Sequence, residues 1–137
     1  MVKLIDFGLA ISADRISTDY VATRWYRAPE NLLGTKEYTT AIDVFGLACV
    51  VVEVFLGAPL FPGADNVDQI YRIFNILGEP SEEVWMKGAK KFKELGFKSN
   101  GGQGMGLESV MRTASHGLVN LLKGMLELDP KKRKTSW

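Results

Sequence analysis

Leu4-Ile5-Asp6-Phe7-Gly8 stands at the head of the chain, and Thr18-Asp19-Tyr20-Val21-Ala22-Thr23-Arg24-Trp25-Tyr26-Arg27-Ala28-Pro29-Glu30 follows it after a run of hydroxyl residues. The first five residues are mostly β-formers, which predicts a short strand. Asp6-Phe7-Gly8 then predicts a sharp turn, because Gly8 can take a backbone conformation that a strand or helix refuses. Residues 12–24 carry Ser, Thr, Asp and Arg with no apolar period of either kind, so they read as a loop. A polar, aperiodic stretch of that length fits a functional segment better than a tight connection.

Beyond Glu30 the pattern becomes helical. Thr40 to Leu56 is apolar almost all round, which in a helix means burial on every side. Val50, Val51 and Val52 argue for a strand, but the length of the run favours a helix. From Asn66 to Leu77, Val67, Ile70, Tyr71, Phe74 and Leu77 fall at helical spacing, with Asp65 or Asn66 to cap the start and Gly78 to close the end. Another helix is expected over about Ser115 to Leu128, stopped by Asp129-Pro130. Between these two, Gly101-Gly102-Gln103-Gly104-Met105-Gly106 fits neither G-x-G-x-x-G nor a P-loop, and reads as a flexible connector.

Composition narrows the function. A chain of 137 residues with 46% hydrophobic and 24% charged residues can form one soluble globular domain. Seventeen Lys+Arg against 16 Asp+Glu leave +1, so no global field draws the chain to nucleic acid or to an anionic membrane. The apolar run Ala41 to Leu56 is interrupted by Asp43 and Glu53 and is too short for the roughly 20 residues a bilayer span needs. One cysteine, Cys49, one histidine, His116, and no Asn-x-Ser/Thr acceptor give neither a disulfide, a zinc set nor a sign of secretion, so an intracellular setting is expected. Lys131-Lys132-Arg133-Lys134 reads as a solvated helix end before it reads as a nuclear-localisation or phosphate patch.

Asp6-Phe7-Gly8, the hydroxyl-rich loop and Ala28-Pro29-Glu30, in that order, resemble the D-F-G to A-P-E layout that brackets the activation segment of protein kinases. The T-x-Y of Thr18, Asp19 and Tyr20 and the run Ala22 to Arg27 resemble the CMGC group. Val67-Asp68-Gln69-Ile70-Tyr71-Arg72-Ile73 and Leu77-Gly78-Glu79-Pro80 look most like its MAK/ICK/MOK branch, and Leu128-Asp129-Pro130-Lys131-Lys132-Arg133 extends the likeness. The resemblance implies a mainly α fold: a partial protein-kinase-like C-terminal lobe with a short N-terminal β-strand and activation loop. Residues 1–30 would form the activation segment and 31–137 the helical lobe, with a variable insert over about 81–114.

The resemblance also assigns roles. Asp6 would bind the Mg²⁺ that bridges the ATP phosphates, with Phe7 and Gly8 setting the active or inactive arrangement. Thr18 and Tyr20 would be regulatory phosphosites, and Arg24 and Arg27 the ligands of phosphorylated Tyr20. Arg27 would also occupy a backbone carbonyl near Ala22, which in the family favours proline after the phosphorylated residue, and Thr23 would bond within the catalytic loop. Ile11 stands where the family commonly has an arginine, so the Thr18 phosphate would have one guanidinium fewer. Glu30 and Arg133 would pair at the base of the lobe, and Asp43 would be a buried anchor for the catalytic loop. Phe45, Gly46 and Ala48 stand in place of the family's Trp and small-x-Gly.

The sequence has no glycine-rich loop, no lysine–glutamate pair and no H-R-D-x-x-x-x-N, so no catalytic residue is present. Mg²⁺ and ATP are implied by the family, and neither is expected to bind these residues tightly. Two readings follow. The chain is the C-lobe portion of a proline-directed serine/threonine kinase whose N-terminal half belongs to the same gene, or it is a truncated lobe acting as a non-catalytic protein-binding module. Protein substrates and an upstream activating kinase are the implied partners, with a cytoplasmic or nuclear location, or a cilium or flagellum.

Overall fold

The computed structural model describes residues 1–8, 10–12, 23–35, 39–99 and 101–134. Six helices follow one another among them: α1 Pro29–Leu32, α2 Ala41–Leu56, α3 Asn66–Leu77, α4 Glu82–Glu94, α5 Leu107–Val110 and α6 His116–Met125, with a single 3-10 turn at Arg24–Tyr26 ahead of α1. The mainly α architecture agrees with the helical lobe that the sequence resembles. The N-terminal strand does not form: residues 1–8 are irregular and exposed. A strand needs a neighbour for its backbone N–H and C=O groups, and among the described residues none is paired with it. The turn at Asp6-Phe7-Gly8 is present, but Asp6, not Gly8, takes the left-handed conformation, at φ 61°. Its Oδ1 accepts the Gly8 N–H at 3.2 Å, the local bond that lets aspartate tolerate that region.

The helix α2 is the scaffold. Its 3.6-residue period puts Phe45, Ala48, Cys49 and Val52 on one face, all buried, against the 3-10 turn and α6. The expected burial on every side is not met: Leu47 and Val50 are exposed, and Val54 is 81% exposed. An all-round apolar helix is buried only when neighbours surround it, and here they cover one side. Burial pushes the Cys49 thiol up to about 12, so it stays a neutral packing group. Native protein is expected to leave Cys49 unmodified by iodoacetamide, as mass spectrometry would show.

The helix α3 runs over the expected residues, and Asp65 is its cap, accepting the Asp68 N–H at 2.8 Å. Ile70, Ile73 and Phe74 face the core. The segment read as a variable connector holds α4, capped by Ser81, whose Oγ accepts the Val84 N–H at 3.2 Å. The helix is kinked at Trp85 (φ −156°, ψ 88°), and a Cβ on Gly88 would come within 2.0 Å of the Trp85 ring. Phe92 then meets Phe74 edge-on at 5.4 Å and stacks on Phe97 at 5.1 Å. The glycine cluster is not a free tether. Met105 N–H donates to the Asn75 carbonyl at 2.8 Å, Gly106 N–H to Ile76 at 3.0 Å and Glu79 N–H to Gly102 at 3.0 Å, seating the loop on the end of α3.

The helix α6, capped by Ser115, ends at Met125, three residues before the expected Leu128. The Glu127 and Leu128 carbonyls are turned instead toward the Arg133 guanidinium, at 3.0 and 3.5 Å. No helix among the described residues is long and apolar enough to cross a membrane.

Candidate functional site

The site is built from the segment 23–30 and the three elements that hold it. At its C-terminal end, Pro29 starts α1, where its missing N–H costs nothing, and Glu30 lies in the first turn, fully buried. Arg133 meets it with both arms of the fork, Nη1 to Oε1 at 2.7 Å and Nη2 to Oε2 at 2.9 Å. The remaining donors go to Ala41 (2.8 Å), Glu127 and Leu128 carbonyls, and the guanidinium lies 5.1 Å from the Phe45 ring centroid. A buried charge pair of this kind offsets its desolvation only if every donor is satisfied, and here all five are. The pair expected from the sequence is therefore in place, and it joins residues 103 apart.

At the other end of the segment, the 3-10 turn is fastened to the α2–α3 connection. Arg24 donates from Nη1 to the Ala64 carbonyl at 2.7 Å, and the Trp25 indole N–H donates to the Gly63 carbonyl at 3.0 Å. Ala64 N–H in turn donates to the Asp68 carboxylate, which Arg72 also bonds at 2.7 Å. The Arg72 bond, then the Ala64 N–H, hold Asp68 below the usual carboxylate value. Tyr26 reaches α2, donating its hydroxyl to the Glu53 carboxylate at 2.7 Å. The turn thus rests on three separate supports that no motif in the sequence names.

The Glu53 bond, with burial behind it, raises the Tyr26 hydroxyl above the ordinary tyrosine value of 10.0. A raised acid favours its neutral form in the fold, so this contribution is whole below pH 10.0 and is lost as pH climbs through the raised value. Tyr26→Phe is expected to cost about 1 kcal/mol at neutral pH. Urea titration at pH 7 and at alkaline pH would show the wild type losing that margin and the variant showing no such step.

The other residues singled out from sequence fall in different places. Thr23 is exposed, and Arg24 and Arg27 are half-buried. Arg24 Nε is buried without a hydrogen-bond partner among the described residues, so the guanidinium keeps donor capacity beyond its Ala64 bond. Thr18 and Tyr20, together with Ala22, lie outside the described residues, so the structure does not place the phosphosites or the carbonyl proposed for Arg27. Ile11 is exposed. Asp43 is a correction: the expected buried anchor is exposed, in the first turn of α2. There its charge favours the helix N-terminus, but none of the described residues packs over it.

Asp6, Phe7 and Gly8 are exposed. Mg²⁺ demands near-octahedral oxygen ligands and usually leans on one or two carboxylates together with nucleotide phosphates. Asp6 supplies one carboxylate, turned back onto Gly8, and the described residues hold no group of three or more His, Cys, Asp or Glu placed for a metal. By themselves the described residues do not fit Mg²⁺-ATP.

Sequence comparison agrees with the geometry. The protein kinase domain profile matches residues 1–136. The chain is 41% identical over 138 residues to serine/threonine-protein kinase ICK of Rattus norvegicus, covering 99% of this chain and 22% of that protein. It is 38% identical to serine/threonine-protein kinase MAK of Homo sapiens over the same shares, and 41% identical to cyclin-dependent kinase 7 of Caenorhabditis elegans, covering 98% of this chain and 41% of that one. The chain therefore spans about a fifth to two-fifths of the length of these relatives. With the A-P-E glutamate buried on Arg133 and a match along almost its whole length, this chain belongs to the protein kinase family and is similar to its CMGC serine/threonine kinases.

Proposed function

We propose that these residues form the substrate-side lobe of a proline-directed serine/threonine kinase, which transfers the ATP γ-phosphate to protein Ser or Thr once a glycine-rich loop, its lysine and an H-R-D loop are supplied from elsewhere in the protein. The observation that carries this reading is the double fastening of residues 23–30, through Glu30 to Arg133 and through Arg24 and Trp25 to the α2–α3 connection. A segment held at both ends is pre-organised, and positioning is most of what a protein contributes to phosphoryl transfer. The uncovered face of α2, Leu47, Val50 and Val54, is where further chain would pack. Phosphorylation of Tyr20 by an upstream kinase would add an anionic ligand for Arg24 and Arg27, with Thr18 a second phosphosite.

By itself the chain acts as a binding module for Ser/Thr-Pro segments, the second reading, favoured by the poor fit to Mg²⁺-ATP. Titration with matched Ser-Pro and Ser-Ala peptides tests the shared core of both: the Ser-Pro peptide is expected to bind more tightly, and Arg27→Ala to erase the difference. Equal affinities in the wild type would overturn the proline-directed reading. The two readings separate on the message upstream of Met1, where an in-frame H-R-D-x-K-x-x-N supports the kinase and a stop codon supports the module.

A further inference from the structure

Among the described residues Gln69 is one of three buried polar or charged residues, the others being the Glu30–Arg133 pair, and it is completely inaccessible. Its position in α3 gives no reason for a carboxamide on an otherwise apolar face. The reason lies across the interface. The Gly63 N–H donates to Gln69 Oε1 at 3.0 Å, and Gln69 Nε2 donates to the Trp25 carbonyl at 3.3 Å. The Trp25 indole N–H returns to the Gly63 carbonyl at 3.0 Å. Three residues from three elements, the 3-10 turn, the α2–α3 connection and α3, close a ring of hydrogen bonds. Gly63 is required for this ring, since a Cβ there would come within 2.3 Å of Gln69 Oε1 and 2.7 Å of its Cα.

We infer that Gln69 is a positioning residue for the 3-10 turn: its carboxamide fixes the Trp25 carbonyl, and with it the direction in which Arg24 and Arg27 leave the turn. A carboxamide supplies an acceptor and a donor on a single rigid plane without titrating, as the Gly63 N–H and the Trp25 carbonyl demand. An apolar side chain of equal length would fill the space and leave both backbone groups buried and unpaired. The turn would then keep its Arg24, Trp25 and Tyr26 side-chain bonds but lose the bond that fixes its backbone at the Trp25 carbonyl. The consequence for proline selection rests on the function proposed above; the control of the turn's geometry does not.

The test is Gln69→Met in the full chain, read in two ways. By NMR hydrogen exchange, the Trp25 indole N–H and the Gly63 N–H are expected to exchange about tenfold faster, the loss of one hydrogen bond's protection, while the α6 amides keep their rates. By peptide titration, the Ser-Pro over Ser-Ala preference is expected to collapse. Unchanged local exchange in Gln69→Met overturns the positioning role, and a global rise that includes α6 makes the residue merely structural and overturns it as well. If the wild type shows no peptide preference, the proposed function fails and the exchange data alone decide the role of Gln69. Should Gln69→Met not fold, Gln69→Leu removes the same acceptor and donor in a smaller side chain, and the same two outcomes apply to it.

Discussion

Arg133→Met is expected to destabilise the chain by about 3–5 kcal/mol, the cost of leaving the Glu30 carboxylate buried without its partner. For a domain of this size that lowers the melting temperature by roughly 10–20 °C, which calorimetry would read directly. Arg133→Lys retains the charge but not the planar fork. One ammonium cannot reach both Glu30 oxygens and the Ala41, Glu127 and Leu128 carbonyls, so about 2–3 kcal/mol is expected to be lost. The double replacement Glu30→Leu with Arg133→Met should recover part of the loss, because no charge is then buried, but not all of it. The Glu127 carbonyl would still lose the Arg133 N–H that it accepts. An unchanged melting temperature in Arg133→Lys would show that the pair does not fasten the segment.

Gly104→Ala is expected to be the other large effect, about 2–4 kcal/mol. Two costs combine there. Gly104 has φ +76°, a region an alanine enters with strain, and a Cβ would lie 2.3 Å from the Gly78 nitrogen and 2.6 Å from the Ile76 carbonyl oxygen. Both neighbours are backbone and cannot rotate away. The loop would have to lift off the end of α3, breaking the Met105 and Gly106 bonds to Asn75 and Ile76. Gly101→Ala is the internal control: it shares the positive φ, at +65°, but nothing lies within 4 Å, so about 1 kcal/mol is expected. Equal losses from the two substitutions, measured by chemical denaturation, would mean that φ alone matters and that the close approach does not.

What could be read from sequence follows from which interactions are local. The helix α3 was legible to the residue because its cap, its apolar period and its closing glycine all lie within Asp65–Gly78. Helix α4 carries the same kind of signal, a Ser81 cap and apolar residues at Trp85, Ala89 and Phe92, inside the segment that the family resemblance marks only as a variable insert. The exposure of Leu47, Val50 and Val54 could not be read, since periodicity reports how apolar a helix is and not which neighbours surround it. The early end of α6 depends on Arg133 drawing off two carbonyls, a contact the helix's own sequence does not contain.

The site divides in the same way. Glu30 and Arg133 were legible only through the family resemblance, because 103 residues separate them. Gln69, Gly63, Tyr26 and Glu53 carried no motif that names a role, although a glutamine on an apolar helical face was a signal available to be questioned. Asp43 was assigned burial by resemblance and is exposed, because a family's aspartate is buried by the segments around it and not by its own helix.

In the function proposed above, these residues would hold the substrate side of phosphoryl transfer and not its phosphate side. Calorimetric titration of the chain with Mg²⁺-ATP tests it most directly. No saturable heat is expected, since the Asp6 carboxylate is turned onto Gly8 and the described residues hold no group of three or more His, Cys, Asp or Glu placed for a metal; saturable binding in the micromolar range would contradict this reading.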